Sequence, residues 1–478
     1  MEREPTTPAA PTHDPHADLG VWGTVKLSLT GKELDFTTGP IGRAIVLLAI
    51  PMVLEMVMES VFALTDAFFV SRLGTDAVAT VGLTEAMITI LWAVAGGTGI
   101  ATTAMVARRI GEKDVPGARV AAAQAILLGL GLTALIAVPG VLWARDLLAF
   151  MGGSPELIAA GHGYTQVLFG GSATITLLFL LNAVFRGAGD AAIAMRVLWI
   201  ANAINIVLDP CLIFGLGPFP ELGVTGAAVA TTVGRGVGVL LQLWVLFFGG
   251  SRIRIDLADL IPRFGIILRL FRLSVGGILQ FLIGTSSWVF LVWVVGSFGA
   301  AAVAGYTIAI RLIVFAILPS WGLANAAATL VGQNLGAGSP ERAETSAWRA
   351  GIYNTVFLLG VAVVFVAAAG PMIRIFSTDA AVVAHGISCL RWVSYGYPFY
   401  AWGMVMVQSF NGAGDTYTPT VINFFCYWLF QLPLAYFLAH NAGFGATGAF
   451  MAIAIAEAAI AVIGIIVFRR GGWKHRTV

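Results

Sequence analysis

The chain has 478 residues, of which 58% are hydrophobic and only 11% are charged, with a formal net charge of +2 and a mean hydropathy of +0.88. Soluble globular proteins carry about 25% charged residues, so this composition excludes an ordinary soluble domain, and there is no basic run suited to nucleic acid. Repeated apolar runs of about 20 residues, without the alternating ten-residue segments of a membrane barrel, predict an all-α polytopic membrane protein.

The predicted elements begin with a polar tail and continue with twelve apolar spans. The tail lacks the basic and apolar regions of a cleaved secretion signal, and we expect its first twenty residues to be mobile. The spans lie at about 44 to 68, 77 to 106, 120 to 143, 160 to 185, 192 to 216, 224 to 248, 266 to 296, 302 to 330, 350 to 370, 388 to 410, 418 to 439 and 445 to 468. They predict a cytoplasmic tail at 1–42, a six-helix lobe at 43–250, a cytoplasmic linker at 251–265, a second six-helix lobe at 266–468 and a cytoplasmic tail at 469–478.

Basic residues distinguish the two faces of the membrane. An even number of spans places both termini on one side, together with the loop after the second span and the loop between the lobes. These segments hold Lys26, Lys32, Arg43, Arg108, Arg109, Lys113, Arg119, Arg252, Arg254, Arg263, Arg269, Arg272, Arg469, Arg470, Lys474 and Arg476, whereas the opposite loops hold only Arg72, Arg145, Arg374 and Arg391. The positive-inside rule therefore predicts cytoplasmic termini, in a bacterial-type inner membrane.

The two halves of the chain repeat each other. The motif FRGAGD at 185–190 recurs as FNGAGD at 410–415, an offset of 225 residues that also relates Gly111 to Gly336. Six spans in each half predict two parallel repeats related by a pseudo-two-fold axis along the membrane normal, as in several secondary transporters. Such a structure leaves a cleft between the lobes, and rocking of the lobes would give alternating access.

The first span carries three acids, Glu55, Glu59 and Asp66, which helical periodicity places on one face. An ionised carboxylate at mid-membrane costs about 2.5–3.5 kcal/mol on insertion scales, so such acids normally face protein or a wet cavity. They predict an ion or proton site, with the alternative that Glu55 or Glu59 hydrogen-bonds a neighbouring helix in its neutral form. The repeat offset puts Leu291 at the position of Asp66, so the site is expected in the first half.

The fifth span adds a second polar group. Asn205 and Asp209 lie one turn apart, Asn202 lies nearby on the same face, and Asn182 at the end of the fourth span could join them. Amide and carboxylate oxygens can ligate a cation, and Pro210 bends the helix and frees a backbone carbonyl there. The alternative is a polar clamp between helices without an ion.

Three further features are open to two interpretations. The GAGD sequences also occur at intramembrane aspartyl protease sites, but their equivalent positions at span ends favour tight turns in which the aspartate caps the next helix. Arg235 and Arg311 lie within apolar runs and need partners, for which Glu85 and Glu457 are candidates. The aromatic tenth span suits either a pocket for flat cations or an interfacial aromatic belt.

Motifs of catalysis are missing from the sequence. It contains no Walker loop, no His-Glu-x-x-His motif and no nucleophile elbow, so we expect no enzyme, no metal and no cofactor other than a coupling ion. The three cysteines, Cys211, Cys389 and Cys426, lie far apart in apolar segments, where they are predicted to be inert packing residues. Energy for transport would therefore come from an ion gradient.

Four motifs together resemble the multidrug and toxic compound extrusion (MATE) family over essentially all twelve spans. They are DAFFVSRLG at 66–74, ARRIG at 107–111, the two GAGD loops and NIVLDP at 205–210. The resemblance implies a V-shaped pair of six-helix lobes that exports amphipathic, often cationic compounds in exchange for protons or sodium ions.

The resemblance also implies coupling residues. Asp66, Asn182, Asn205 and Asp209 match the polar cavity of the DinF-like branch, whereas the NorM-like branch would have a Glu where this chain has Gln280 and an acid in the tenth span. An additional polar cavity is predicted from Glu55, Glu59, Asn202 and Gln280, and a substrate-lining surface from Tyr397, Tyr400, Trp402 and Met404.

These observations predict a monomeric membrane antiporter for small molecules. It would export organic compounds through the bilayer in exchange for protons or, as the alternative ion, sodium. A flippase for lipid-linked oligosaccharides or polysaccharides is the second hypothesis, although more cationic residues would then be expected along the cleft. The third hypothesis, an intramembrane protease, depends on the GAGD aspartates alone.

Overall fold

The computed structural model of the protein describes residues 20–31 and 34–478, which are almost entirely helical. The helices are α1 (Val21–Thr30), α2 (Ile41–Ser71), α3 (Thr75–Gly111), α4 (Val115–Leu142), α5 (Ala144–Phe150), α6 (Pro155–Gly170), α7 (Ser172–Ala188), α8 (Ala191–Phe214), α9 (Val224–Phe248), α10 (Phe264–Gly296), α11 (Ala300–Gly336), α12 (Pro340–Arg374), α13 (Ala380–Tyr395), α14 (Tyr397–Gly412), α15 (Tyr417–Asn441) and α16 (Ala446–Arg469). Short 3₁₀ turns lie at Leu257–Leu260 and Gly472–His475.

Eleven segments of the described chain are long and apolar enough to cross a membrane, and α13 with α14 completes the twelve predicted spans. The fourth and tenth spans are each interrupted at a glycine, Gly171 and Gly396, which are 225 residues apart. A Cβ atom on Gly171 would lie 2.4 Å from Thr232, and one on Gly396 would lie 3.0 Å from the Ala454 backbone. At both breaks, therefore, another helix of the same lobe packs closely against the glycine.

The described part of the N-terminal segment is folded against the lobes. Helix α1 lies within the predicted tail, and the side chains of Leu27 and Phe36 are buried in a cluster with α2 and α11. The Arg196 guanidinium on α8 donates hydrogen bonds to the Leu29 carbonyl. The prediction that the first twenty residues are mobile concerns residues 1–19, which lie outside the described chain, and Gly20. Lys32, one of the residues of the predicted basic face, also lies outside the described chain.

Helices α2 to α9 form the first lobe and α10 to α16 the second, and the two lobes cross at equivalent positions. Gly97 on α3 packs on α10, where its Cβ would lie 2.3 Å from the Ile278 nitrogen. Its equivalent in the repeat, Gly322 on α11, packs on α2, where a Cβ would lie 2.6 Å from the Met52 carbonyl oxygen. The predicted parallel repeat is therefore confirmed in the packing.

The lobes meet most closely at the basic face, the side on which α1 and the C-terminal residues lie. Gly111 and Gly336, equivalent residues at the ends of α3 and α11, touch each other there, since a Cβ on Gly336 would lie 3.0 Å from the Gly111 Cα. Gln333 and Thr329 on α11 also donate hydrogen bonds to carbonyls at the end of α7, at 2.9 and 3.1 Å. Along α2, residues 41–60 include no exposed residue, whereas most residues from 61 to 71 are exposed, so the two lobes form a V that is closed at the basic face and opens on the opposite side.

The two GAGD loops make the predicted tight turns but use their aspartates differently. Gly189 and Gly414 have positive φ angles of 92° and 83°, which glycine adopts without strain. Asp415 accepts hydrogen bonds from the nitrogen and hydroxyl of Thr418 and so caps α15, as predicted. The prediction of a cap is wrong for Asp190, whose side chain accepts instead from the Arg252 nitrogen of the inter-lobe linker at 3.3 Å.

The C-terminal segment after α16 crosses the basic face between the lobes. Trp473 is buried and stacks on Phe468 at 4.5 Å. The Arg476 carbonyl accepts a hydrogen bond from Arg108 of the first lobe at 2.6 Å. The Arg476 guanidinium pairs with Asp415 of the second lobe at 3.4 Å. These residues therefore connect the lobes where they are already in closest contact.

The Gly111 crossing leads to a prediction about stability. A Cβ on Gly111 would lie 2.0 Å from the Gln333 carbonyl oxygen, a backbone atom that cannot rotate away. We expect Gly111→Ala to lower the free energy of unfolding by about 1–3 kcal/mol, the usual cost of overpacking. The control is Gly131→Ala on α4, where no atom lies within 4 Å, and equal melting temperatures for the two purified variants would contradict the crossing.

Candidate functional site

The polar residues of the first lobe form three groups along α2, and the first is centred on Glu55. Only 1% of Glu55 is exposed, yet its Oε1 accepts hydrogen bonds from Arg186 at 2.8 Å and from Asn182 at 3.0 Å, both on α7. Asn182 in turn accepts a hydrogen bond from Gln242 on α9. Burial of an ion pair is tolerated when the charges are paired and further hydrogen-bonded. Glu55 Oε1 meets both conditions, whereas Oε2 is buried without a hydrogen-bond partner among the described residues.

The second group lies one turn further along α2 and is centred on Glu59. The Arg235 guanidinium on α9 pairs with Glu59 Oε1 at 3.0 Å, and Asn202 on α8 donates to Oε2 at 3.4 Å. The same guanidinium lies over the rings of Phe62 and Trp92, 5.1 and 5.0 Å from their centroids. Charge pairing and cation–π contacts together stabilise this arginine within the apolar lobe.

These contacts correct the predicted partners of the intramembrane arginines. Arg235 forms its ion pair with Glu59 and not with Glu85 or Glu457. Arg311 on α11 is exposed, and among the described residues it forms no ion pair with Glu85 or Glu457.

The third group lies nearest the open end of the V and contains Asp66 and Asp209. Asp209 is fully buried, and its Oδ1 accepts a hydrogen bond from Asn205 at 3.3 Å. Asp66 on α2 is partly buried, and Asp209, Glu85 and Arg235 are near enough for their charges to act on it, although it makes no hydrogen bond or ion pair with them among the described residues. The hydroxyl of Tyr164 on α6 is close enough to Asp66 and Asp209 to interact electrostatically with both.

Two buried oxygens of this third group have no hydrogen-bond partner among the described residues. They are Oδ2 of Asp209 and Oδ1 of Asn205, whose amide nitrogen donates to Asp209 and to Thr231 at 3.2 Å. Buried polar atoms are nearly always hydrogen-bonded, so such a pair of acceptors is suited to a proton, a water molecule or a small cation.

The structure therefore separates the predicted coupling residues. It brings Asp66, Asn205 and Asp209 into one group, but Asn182 belongs to the Glu55 group. Asn202, which helical periodicity also places near Asn205, hydrogen-bonds Glu59, its predicted neighbour in the additional polar cavity.

The second half replaces the first ion pair with two amides. Gln280 and Asn411 are the residues related to Glu55 and Arg186 by the repeat offset, and they exchange two hydrogen bonds of 3.0 and 3.1 Å. The same inward position thus carries a charged pair in one lobe and a neutral pair in the other. Gln280 therefore contributes to a polar site of the second lobe and does not join the acids of the first.

The predicted substrate-lining residues of the tenth span have different surroundings. Tyr400 and Met404 line a cavity of about 360 Å³ within the second lobe, next to the cleft. Tyr397 is fully buried in the packed core of that lobe, and Trp402 packs against Trp348 at 5.6 Å, so neither lines this cavity. Helix periodicity alone does not show which of these side chains face the cavity and which face the packed core of the lobe.

Sequence reasoning missed several functional candidates, of which Arg186 is the most informative. It stands inside the FRGAGD motif, where the second copy has Asn411, and this difference between the repeats was visible in the sequence. Gln242, Thr231 and Tyr164 carried no comparable signal because each is a single polar residue in an apolar helix.

The described residues contain no group of three or more His, Cys, Asp or Glu side chains arranged to hold a metal ion. The acids of α2 and α8 thus occur as the single acids Glu55 and Glu59 and the pair Asp66 and Asp209. Their oxygens are positioned for protons, hydrogen bonds or a single small cation.

Comparisons with known proteins give a consistent result for the whole chain. The sequence model of the MatE family matches residues 51–211 and 277–437, one match in each half. The chain is 26% identical over 443 residues to a probable multidrug resistance protein NorM from Thermotoga maritima, covering 92% of this chain and 94% of that protein. It is 28% identical to an FAD transporter from Shewanella oneidensis, covering 83% and 88%.

The fold is also similar to solved structures. One is a transporter of the MOP superfamily from Pyrococcus furiosus, described as having a binding pocket of reversed polarity. It is 29% identical, with a TM-score of 0.87 and coverage of 93% of this chain and 99% of that one.

The amide pair of the second lobe provides a test of the ion pair in the first. Arg186→Asn leaves the Glu55 carboxylate buried without a cation, which we expect to lower the free energy of unfolding by about 3–5 kcal/mol. The double variant Glu55→Gln with Arg186→Asn copies the pair Gln280–Asn411 and should recover most of this loss. Thermal unfolding of the purified variants gives the comparison, and a double variant less stable than the single one would contradict the equivalence.

Proposed function

Because the chain belongs to the MatE family, whose sequence model matches both of its halves, we propose that it is a secondary active antiporter that exports small organic compounds. The substrates are amphipathic and often cationic, and they leave the cytoplasm as protons enter, with sodium as the alternative coupling ion. The protein acts as a monomer in a bacterial-type inner membrane and needs no further cofactor.

The observation that carries this proposal is the group formed by Asp66, Asn205 and Asp209. Its two carboxylates interact with each other, and Asp209 keeps a buried oxygen without a hydrogen-bond partner among the described residues. Binding of a proton or a cation there removes one negative charge from the lobe. A step that changes the local charge favours one arrangement of the lobes over another, which is how ion binding becomes coupled to transport.

The two other acids of α2 have a different role in this proposal. Glu55 and Glu59 each form an ion pair with an arginine, so their charges are already compensated. They maintain the packing of α7, α8 and α9 around α2. Asp66 and Asp209 remain as the acids that exchange the coupling ion, and Asn205 positions Asp209.

The same pairing argues against a flippase for anionic lipid-linked sugars. Such a carrier would need free cations along its cleft, whereas Arg186 and Arg235 are both neutralised by glutamates. The cleft of the first lobe therefore presents acids to a substrate. This charge favours export of cations over transport of anions.

The closed basic face also has a place in this proposal. It carries both termini and the basic loops, and the positive-inside rule makes it cytoplasmic. The V then opens to the outside, which is the arrangement that releases a substrate and admits a proton. We propose that rocking about the glycine crossings converts it to the opposite arrangement.

Orientation can be tested with single cysteines in intact cells. We expect a cysteine at Gly250, in the loop between the lobes, to resist a membrane-impermeant maleimide, because that loop is cytoplasmic. A cysteine at Gly217, between α8 and α9, should react, because it lies on the opposite side. Labelling of Gly250→Cys but not of Gly217→Cys would show that the orientation is the reverse of the proposed one.

Transport is tested with purified protein in liposomes under separately imposed proton and sodium gradients. We expect a proton gradient to drive accumulation of a cationic dye. Asp66→Asn should reduce the rate of dye accumulation at least tenfold, because the substituted amide cannot exchange a proton. Asp76→Asn is the control, since Asp76 is an exposed acid at the start of α3.

Three results of this assay would contradict the proposal. Near wild-type transport by Asp66→Asn would remove Asp66 from coupling. Transport that ignores both gradients would exclude an antiporter, and gradient-driven movement of FAD without any dye transport would replace the cationic substrates with anionic ones.

A further inference from the structure

The second lobe contains one buried acid that no part of the mechanism above uses. Glu457 lies in the middle of α16, with 5% of its surface exposed, on the wall of the cavity of about 360 Å³ that Tyr400 and Met404 also line. Its Oε1 accepts a hydrogen bond from the Tyr427 hydroxyl at 3.0 Å. Under the repeat offset its counterpart is Thr232, so this acid belongs to the second lobe alone.

Glu457 differs from the buried glutamates of the first lobe in having no cationic partner among the described residues. Glu55 and Glu59 are paired with arginines at 2.8 and 3.0 Å, whereas the hydrogen bond from Tyr427 is the contact made by the Glu457 carboxylate. The described lining of the cavity contains no lysine, arginine or histidine. A buried carboxylate normally requires a positive partner, and here the partner would have to enter the cavity.

The walls of this cavity are suited to a flat, apolar cation. Five aromatic rings line it, those of Phe281, Trp288, Trp321, Tyr400 and Tyr427. Aromatic faces attract organic cations, by about 2 kcal/mol or more where water is excluded. A volume of about 360 Å³ lies within the usual range of about 300–1,000 Å³ for small-molecule sites.

The amides of the cavity wall largely satisfy one another. Gln280 and Asn411 hydrogen-bond each other, and Asn411 also donates to Gln408 at 2.9 Å. Glu457 is the carboxylate among the described lining residues and therefore the group that can supply a negative charge to the cavity. Tyr427 lies in a π-helical stretch of α15, Phe424–Gln431, a local departure from the α-helix that is frequent at functional sites.

We propose that this cavity is a binding site for the cationic headgroup of the transported compound, with Glu457 as its counter-ion. The aromatic rings hold the apolar part of the ligand, and the Tyr427 hydroxyl fixes the direction of the carboxylate. Substrate and coupling ion then occupy different lobes, the ligand beside α16 and the ion beside α2. The inference rests on the proposed export of organic cations, because it assigns a site to that substrate class.

Equilibrium binding tests the charge contact directly. The probes are methyltriphenylphosphonium, a permanent cation, and triphenylphosphine oxide, a neutral molecule of nearly the same shape. We expect Glu457→Gln to weaken binding of the cation at least tenfold, equivalent to about 1.4 kcal/mol, and to change binding of the neutral probe less than about twofold. Glu457→Asp keeps the charge and should stay within about threefold of the wild type for both probes.

The control variant is Glu156→Gln, which neutralises an exposed acid at the start of α6. Equal weakening of both probes by Glu457→Gln would show a structural role, and unchanged binding of both would show that Glu457 carries a proton and contacts no ligand. Either result overturns the proposal. Binding is measured without any ion gradient, so a protein that binds the cation but fails to transport it contradicts the proposed antiport and leaves this site intact.

A second measurement uses the wild-type protein and does not depend on folding of the variant. A phosphonium probe that carries an alkyl diazirine is photolysed with the protein, and the modified residue is mapped by mass spectrometry. We expect the label on Glu457 or on the aromatic residues of its cavity, and competition by unlabelled methyltriphenylphosphonium. Label confined to α2 and α8 would place the cation in the first lobe and overturn the inference.

Discussion

The structure of the first lobe depends on the need to pair charges in an apolar environment. An unpaired charge at mid-membrane costs several kcal/mol, and the lobe meets this constraint by placing Arg186 and Arg235 against successive acids of α2. Each arginine reaches α2 from a different helix, so the pairs also fix how α7 and α9 pack. With these two acids satisfied in this way, Asp66 and Asp209 are the ones that we propose exchange the coupling ion.

The duplicated halves use the same backbone to separate two tasks. Close helix crossings occur at equivalent glycines of the two halves, since Gly97 is equivalent to Gly322 and Gly111 to Gly336. Both lobes keep these glycines because the helices could not cross so closely with a larger residue. The polar side chains have diverged, from an ion pair at Glu55 in one lobe to an amide pair at Gln280 in the other. In the proposed cycle, this symmetric scaffold lets the lobes rock against each other, and the different side chains give each lobe a different binding partner.

The sequence was sufficient for the fold and insufficient for the pairings. Hydropathy predicted twelve spans, and the 225-residue offset predicted two lobes, because both follow from the periodic burial of apolar residues. Periodicity shows which side chains lie on the same face of a helix but not which neighbouring helix packs against that face. Asn182 is therefore predicted to join the Asp209 group, although it contacts Glu55. The family assignment is confirmed, while its DinF-like branch and the coupling roles stay predictions.

The segment after α16 has a practical consequence for work on this protein. Trp473 anchors it to the second lobe, and the Arg476 carbonyl accepts a hydrogen bond from Arg108 of the first, so it forms a strap across the joint that opens in the proposed transport cycle. An affinity tag or reporter attached to this segment would add to the strap and alter the force needed to open it.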